Sequence, residues 1–403
     1  MAQRPFVLDV TGGDVQAEGA RLRALGEVVR VELPGGVGVW AVTSPTLLRE
    51  LLMDPRVSKD GTRHWAAWTG GEIAEDWPLR LWVSVRNMFT AYGEDHRRLR
   101  SIVAGAFTAR RTEAMRPVIE RIVGGLLDTI AAAPPGEPVD LRSLYANPVP
   151  VEVICRLFGV PEDKRKTIRG AVDTVFDTTA TPEEAMANTT TIYTTFGELV
   201  AEKRRSPGDD LTSALIEAQE GALDEVELVD TLLLLLTAGH ETTVNLLDQA
   251  ITALLTHPDQ RELVLTGQRS WNDVIEETLR WQAPVPYLPL RFAVEEIALA
   301  GGGTIPKGDA VLAAYAAAGR DPEYYGDGAD DFDITRELKQ HLAFGHGVHH
   351  CLGAPLARLE ARIALPALFD RFPGMTLAEP VSALTPVHSF LSNGHTRIPV
   401  LLG

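Results

Sequence analysis

Phe344-Gly345-His346-Gly347-Val348-His349-His350-Cys351-Leu352-Gly353 is the stretch on which the reading of this chain turns. It holds one of the chain's two cysteines and three glycines. Glycines at that density let a backbone turn tightly and lie close against something flat or bulky. Ala354-Pro355-Leu356-Ala357-Arg358-Leu359-Glu360-Ala361-Arg362 follows and reads as a helix start. Pro355 falls in its first turn, where a missing N–H costs nothing. Cys351 is therefore expected at a helix N-terminus, where free N–H groups and the helix dipole stabilise a thiolate. Taken alone, the cysteine would also suit a small buried hydrophobe. His341, His346, His349 and His350 raise zinc as an alternative, but their spacing fits no common paired-ligand pattern.

Working outward, the 403 residues suffice for a large core, and the net charge of −17 argues against non-specific nucleic-acid binding. Two cysteines 196 positions apart make no disulfide framework, and Cys155 reads as core packing. The N-terminus has no signal-peptide apolar segment, and no run of 18 apolar residues exists. A cytoplasmic location is expected.

Along the chain, Val28–Leu33 and Gly38–Val42 around Pro34-Gly35-Gly36 carry a hairpin signal, and residues 43–53 predict a short helix. Residues 57–92 hold four of the seven tryptophans among scattered glycines and read as an aromatic loop. His96 and Arg100 share one face of a helix predicted to run to about Ala106. From Glu113 to about Gly221 amphipathic helices follow one another, broken at Pro134-Pro135-Gly136, Gly159-Val160-Pro161, Thr181-Pro182 and 206–210.

Asp224 to Thr256 is the second informative stretch. Asp224 with Glu227 resembles a capping box, and His257-Pro258 ends the helix. Such a helix spans about 50 Å at ~1.5 Å per residue. Its uncharged centre gives way to Ala238-Gly239-His240-Glu241-Thr242-Thr243. Gly239 weakens the helix, and Thr242 can bond back to the carbonyl of Ala238, leaving room for water or dioxygen. Farther on, Glu277 and Arg280 share a face of a helix over Trp271–Trp281, and Ala283 to Pro289 cannot be helical.

These motifs, in this order and over roughly residues 20–400, resemble the cytochrome P-450 superfamily, specifically its soluble bacterial members. The glycine-rich loop matches the haem-binding signature through Phe344, Gly345, Gly347, His349, Cys351 and Gly353. The resemblance implies one mainly α domain over 1–403 with minor β-sheet. Haem b would be buried between the long central helix and the cysteine loop, with Cys351 thiolate on the iron. It further implies His96, Arg100 and Arg291 as propionate partners and Ala238-Gly239-Glu241-Thr242 as the oxygen-binding segment. There Thr242 would hold dioxygen and Glu241 would relay protons. Met88, Phe89, Thr237, Ala238, Val285, Leu288 and Phe390 are the expected substrate pocket, and the helices beside 175–190 its lid. Glu277, Arg280 and Arg336 form the expected buried network.

The activity implied is monooxygenation by a monomer, with O2 as co-substrate. The mostly apolar pocket favours a bulky steroid-, macrolide- or polyketide-like substrate. Without a reductase domain, electrons are expected from a ferredoxin and its reductase. Arg97, Arg98, Arg110, Arg111, Arg358 and Arg362 would form a basic docking face near Cys351. The rivals are a peroxide-driven enzyme of the same fold and a non-catalytic haem or zinc protein.

Overall fold

The computed structural model describes residues 5–218 and 222–403. The readings of the first four residues, and of the helical stretch where it reaches Gly221, lie outside these. Most of the described chain is helical, with a small six-stranded sheet to one side. The sheet runs Phe6–Val7, Val28–Leu33, Val37–Val42, Ala310–Ala314, Tyr287–Ala293, Val57–Ser58. The expected hairpin is its second and third strands, paired antiparallel from Val28↔Val42 to Leu33↔Val37. Two smaller sheets, one of three strands and one of two, complete the β-structure.

The central helix, Glu225–Thr256, organises the rest. Asp224 caps it, accepting from the Glu227 N–H, while the Glu227 carboxylate accepts from the Asp224 N–H. Its first half contributes Leu228, Leu232, Leu233, Leu235 and Leu236 to one apolar core, which includes Val29, Val31, Val39, Leu290 and Leu312 of the six-stranded sheet. Its second half contributes Leu246, Leu247, Ala250, Ile251 and Leu254 to another core, shared with the helix Ala354–Arg371. Residues 237–243 fall between the two cores. There a Cβ on Gly239 would lie 2.6 Å from Cδ1 of Ile154, so the Ile154 side chain on the helix Pro148–Leu157 occupies the space the glycine leaves. The helix itself is continuous through this point.

The other predicted helices form with small boundary changes. The basic helix is Gly93–Ala104, the helices on either side of 175–190 are Glu162–Phe176 and Pro182–Arg205, and Trp271–Trp281 is as expected. Within Trp271–Trp281, Glu277 and Arg280 are fully buried and doubly bonded, at 2.7 and 2.8 Å. Arg336 reaches the same carboxylate at 3.4 Å. No helix among the described residues is long and apolar enough to cross a membrane.

Candidate active site

The cysteine loop meets the central helix across a cavity. The loop's shape follows from its glycines. Gly345 and Gly347 have φ of +68° and +71°, and a Cβ on Gly347 would lie 2.5 Å from the Leu52 carbonyl oxygen. Backbone bonds from Gly345 to Leu342 and from Cys351 to Phe344 close the turn. Cys351 is then presented at the start of Ala354–Arg371, its sulfur accepting from the N–H groups of Gly353 and Ala354. Its side chain is open to the cavity and walled from bulk solvent by the protein around it. The sequence points to a thiol made acidic by the helix start. In the structure burial dominates and pushes the Cys351 thiol up, and the two N–H groups, Arg100 and Arg358 oppose it only in part.

The zinc alternative fails on geometry, because the loop histidines point to different partners. His341 bonds Glu276 at 3.1 Å, His346 lies 3.1 Å from Sδ of Met53, and His349 stacks 4.1 Å from the His96 ring. Among the described residues, the group that could gather on one ion is Asp173, His240 and Glu241, away from the cysteine.

What this region holds instead are buried side-chain nitrogens without partners. Arg291 is 5% exposed, its Nη1 lacks any partner, and no carboxylate among the described residues pairs with it. Nε2 of His96 is likewise buried and unpartnered. Burial, then the nearby Arg100 charge, pushes His96 down to about 4. Arg100 donates to the His350 carbonyl at 2.7 Å and also lines the cavity. Unsatisfied buried donors of this kind call for an anionic ligand. A group with a wide apolar body, two carboxylates at one edge and a metal seeking a single thiolate fits these residues, and haem is such a group. A β-bulge aids the arrangement. Leu288 pairs with Ala313 but Arg291 with Val311, so the strand gains a residue and both side chains turn to the cavity.

On the opposite wall stand Ala238, Gly239, Thr242 and Thr243 of the central helix. Thr242 donates to the Ala238 carbonyl at 2.7 Å, as its spacing predicts. Glu241 does not share that wall. One residue earlier on the helix, it faces a second, polar cavity of about 890 Å³ with Arg142, Asp173 and Ser392. There it accepts from Ser392 Oγ at 2.7 Å and from Arg142 at 3.2 Å, and Arg142 also bonds Asp248 at 2.7 Å. An acid the sequence reading passed over, Glu360, does line the thiol cavity, with Oε2 unpartnered. Complete burial pushes its carboxyl well above the usual carboxylate range. A single acid in a helical run is a poor signal in sequence, and only its place nine residues after the cysteine sets Glu360 apart.

An apolar cleft of about 640 Å³ adjoins the thiol cavity and shares Phe89, Ala238, Thr242, Val285 and Leu288 with it. Thr237 lines the cleft and Met88 the cavity. Phe390 lines neither; it is fully buried, 6.2 Å from the Tyr287 ring. Trp82 is the one tryptophan on the cleft, edge-on to Phe89 and Phe176. Trp65 and Trp77 pack together inside the core.

The expected basic face is partly spent on internal bonds. Arg98 holds Glu227 at 2.6 and 3.1 Å, Arg358 holds Glu276 at 2.6 and 2.8 Å, and Arg97 lies 3.5 Å from Glu94. Arg110, Arg111 and Arg362 have no such partner among the described residues.

Comparison with known proteins agrees with this geometry. The Cytochrome P450 family model matches residues 271–383. A 2-hydroxy-5-methyl-1-naphthoate 7-hydroxylase from Streptomyces carzinostaticus is 46% identical over 99% of this chain and 97% of its own. The structure of CYP154A1 from Streptomyces coelicolor A3(2) is 54% identical, covers 99% of this chain and 100% of that one, and superposes with a TM-score of 0.95. Testerone-bound CYP154C4 from Streptomyces sp. ATCC 11861 is 45% identical with a TM-score of 0.96, covering 100% and 99%. Likeness along nearly the whole chain, joined to a thiol that opens onto a cavity with an unpaired buried arginine, leaves one conclusion: the chain belongs to the cytochrome P450 family of haem-thiolate monooxygenases.

Proposed function

We propose that this monooxygenase hydroxylates a bulky, ring-containing, apolar molecule of steroid, macrolide or polyketide type. The observation that carries this is the cleft. Leu81, Trp82, Val85, Phe89, Phe176 and Leu233 wall it with hydrocarbon and aromatic surface, and Asn87, Thr237 and Thr242 are its only polar side chains. Such walls reward a large apolar body and offer a few hydrogen bonds to orient it. The naphthoate hydroxylase, with its fused-ring substrate, supports the ring-containing part of this reading.

In this reading Cys351 holds the iron, the loop residues Phe344, Gly345, His349 and Gly353 shape the thiolate's surroundings, and His96, Arg100 and Arg291 hold the propionates. Haem supplies dioxygen activation and the protein supplies position and protons. Thr242 spends its O–H on Ala238, so the lone pairs of Oγ1 face the cavity and fix water there. Glu241 gathers protons from the polar cavity behind the helix, and Glu360 keeps one on the thiol side. Glu277, Arg280 and Arg336 hold the fold. Electrons come from a ferredoxin and its reductase, docking near Arg110, Arg111 and Arg362. A cytoplasmic setting belongs to the same reading, since both cysteines are free.

A screen by haem spectral shift tests the substrate class. Steroids, macrolactones and polycyclic polyketides should displace the water-bound spectrum, whereas response only to small or charged compounds would refute it. Turnover with ferredoxin and reductase against turnover with peroxide separates the electron-fed enzyme from the peroxide-driven one.

A further inference from the structure

One buried side chain in the cavity has no place in the family resemblance or in the mechanism above. Lys59 follows the edge strand Val57–Ser58, which pairs with Phe292 and Ala293. It is 3% exposed and lines the thiol cavity beside Arg291 and His349. Its Nζ donates to the Pro289 carbonyl at 3.0 Å, in the bulge between Leu288 and Arg291. It also lies 3.7 Å from the centre of the Phe89 ring. No carboxylate pairs with it among the described residues. Its neighbour Asp60 is occupied by Thr62 and Arg63.

A lysine so placed is costly unless an anion joins it. Burying an ammonium without a counter-ion favours loss of its proton. Burial, and then the Arg291 charge, indeed push Lys59 well below its ordinary range. One carbonyl and one aromatic face satisfy it only partly, because an ammonium has three donors. An uncharged side chain such as methionine would fill the same space without that penalty. The position therefore makes sense only with a negative group in the cavity, next to Arg291.

We propose that Lys59 is a haem-propionate ligand of this protein and that it ties the propionate to Phe89 in the wall of the substrate cleft. This rests on the haem site described above. The charged ammonium donates to the propionate oxygen, keeps its bond to Pro289, and stacks on the aromatic face. Phe89 lines both the cleft and the cavity, so a substrate pressing on that ring also presses on the cation that neutralises the cofactor's edge. A nearby positive charge favours the reduced haem, because reduction adds negative charge.

The test uses the holoenzyme. Lys59→Met, Lys59→Arg and Phe89→Leu are purified with haem, and haem transfer to apomyoglobin and the midpoint potential are measured. Lys59→Met should transfer haem at least roughly tenfold faster, since truncating one side of a buried charged pair raises the rate at which the other side leaves. Its potential should move to more negative values. Lys59→Arg should restore both in part, and Phe89→Leu, which removes the ring under the ammonium but keeps the charge, should speed haem transfer less than Lys59→Met does. Unchanged transfer and potential in Lys59→Met would overturn the proposal. So would equal haem loss in Phe89→Leu and Lys59→Met with no shift in potential, which would reduce Lys59 to packing. Failure of the haem reading itself would show separately, as a parent protein without the thiolate carbon monoxide band.

Discussion

Replacing Arg280 by methionine is the sharpest test of how this fold is held. The side chain makes two bonds to Glu277 and donates to the carbonyls of Gly319, Ala329 and Asp331, all in a site from which water is excluded. Methionine fills much of the volume but leaves Glu277 with only the Asp333 N–H at 3.0 Å and Arg336 at 3.4 Å. Removing one side of a buried pair costs about 3–5 kcal/mol. The remaining partners of Glu277 lower that cost, and three deserted carbonyls raise it, at about 1–3 kcal/mol each where water cannot enter. We take about 4 kcal/mol, a large share of the ~5–15 kcal/mol that holds a domain. At ~2.1 cal/mol/K per residue the unfolding entropy of 403 residues is about 0.85 kcal/mol/K, so the midpoint should fall by about 5 °C. Thermal unfolding followed by circular dichroism on haem-replete protein measures it, with Arg280→Lys, which keeps the charge, falling between variant and parent. A drop under about 1 °C would mean that the pair contributes no more than a surface contact and that the reasoning from burial is wrong.

Four other outcomes follow from the same geometry. Cys351→Ser should abolish the thiolate signature of the reduced carbon monoxide complex; its survival would point to Cys155, which is 1% exposed in the core. Thr242→Ala should bind haem and substrate normally yet release peroxide in place of product, as electron-to-product stoichiometry will reveal. Charge reversal at Arg110, Arg111 and Arg362 should slow ferredoxin-fed turnover at low salt and leave peroxide-driven turnover intact; Arg98 is excluded from this set because it holds Glu227 in the cap of the central helix. Glu276 gives a pH dependence. Burial pushes its carboxyl up, but bonds from Arg358 and His341 outweigh that and hold it at about 2. A depressed acid stabilises the fold above its unfolded value of about 4.5. The contribution should therefore fade as pH falls from about 4.5 to 2, and Glu276→Gln should flatten that part of the urea-midpoint profile.

Much of this protein can be read from neighbouring residues alone. The cap formed by Asp224 and Glu227, the back-bond from Thr242 to Ala238, the pairing of Glu277 with Arg280 and the turn that presents Cys351 all join groups within a few positions. Helical periodicity and glycine's tolerance of positive φ are enough to predict them. Tertiary structure decided what depends on the direction a side chain takes and on the partner it meets far along the chain. Glu241 and Thr242 are adjacent, yet the turn of the helix sends them to different cavities. Arg98 looks like a free surface charge until Glu227, 129 positions away, binds it. Phe390 enters the core and Trp82 the cleft, although composition treats both as aromatic residues in loops. Lys59 and Glu360 read as ordinary charged residues, and only the packing of strand, bulge and helix around one cavity buries them without an oppositely charged partner among the described residues. Burial sets the energy of a charge, and burial is a property of everything that surrounds a residue in space.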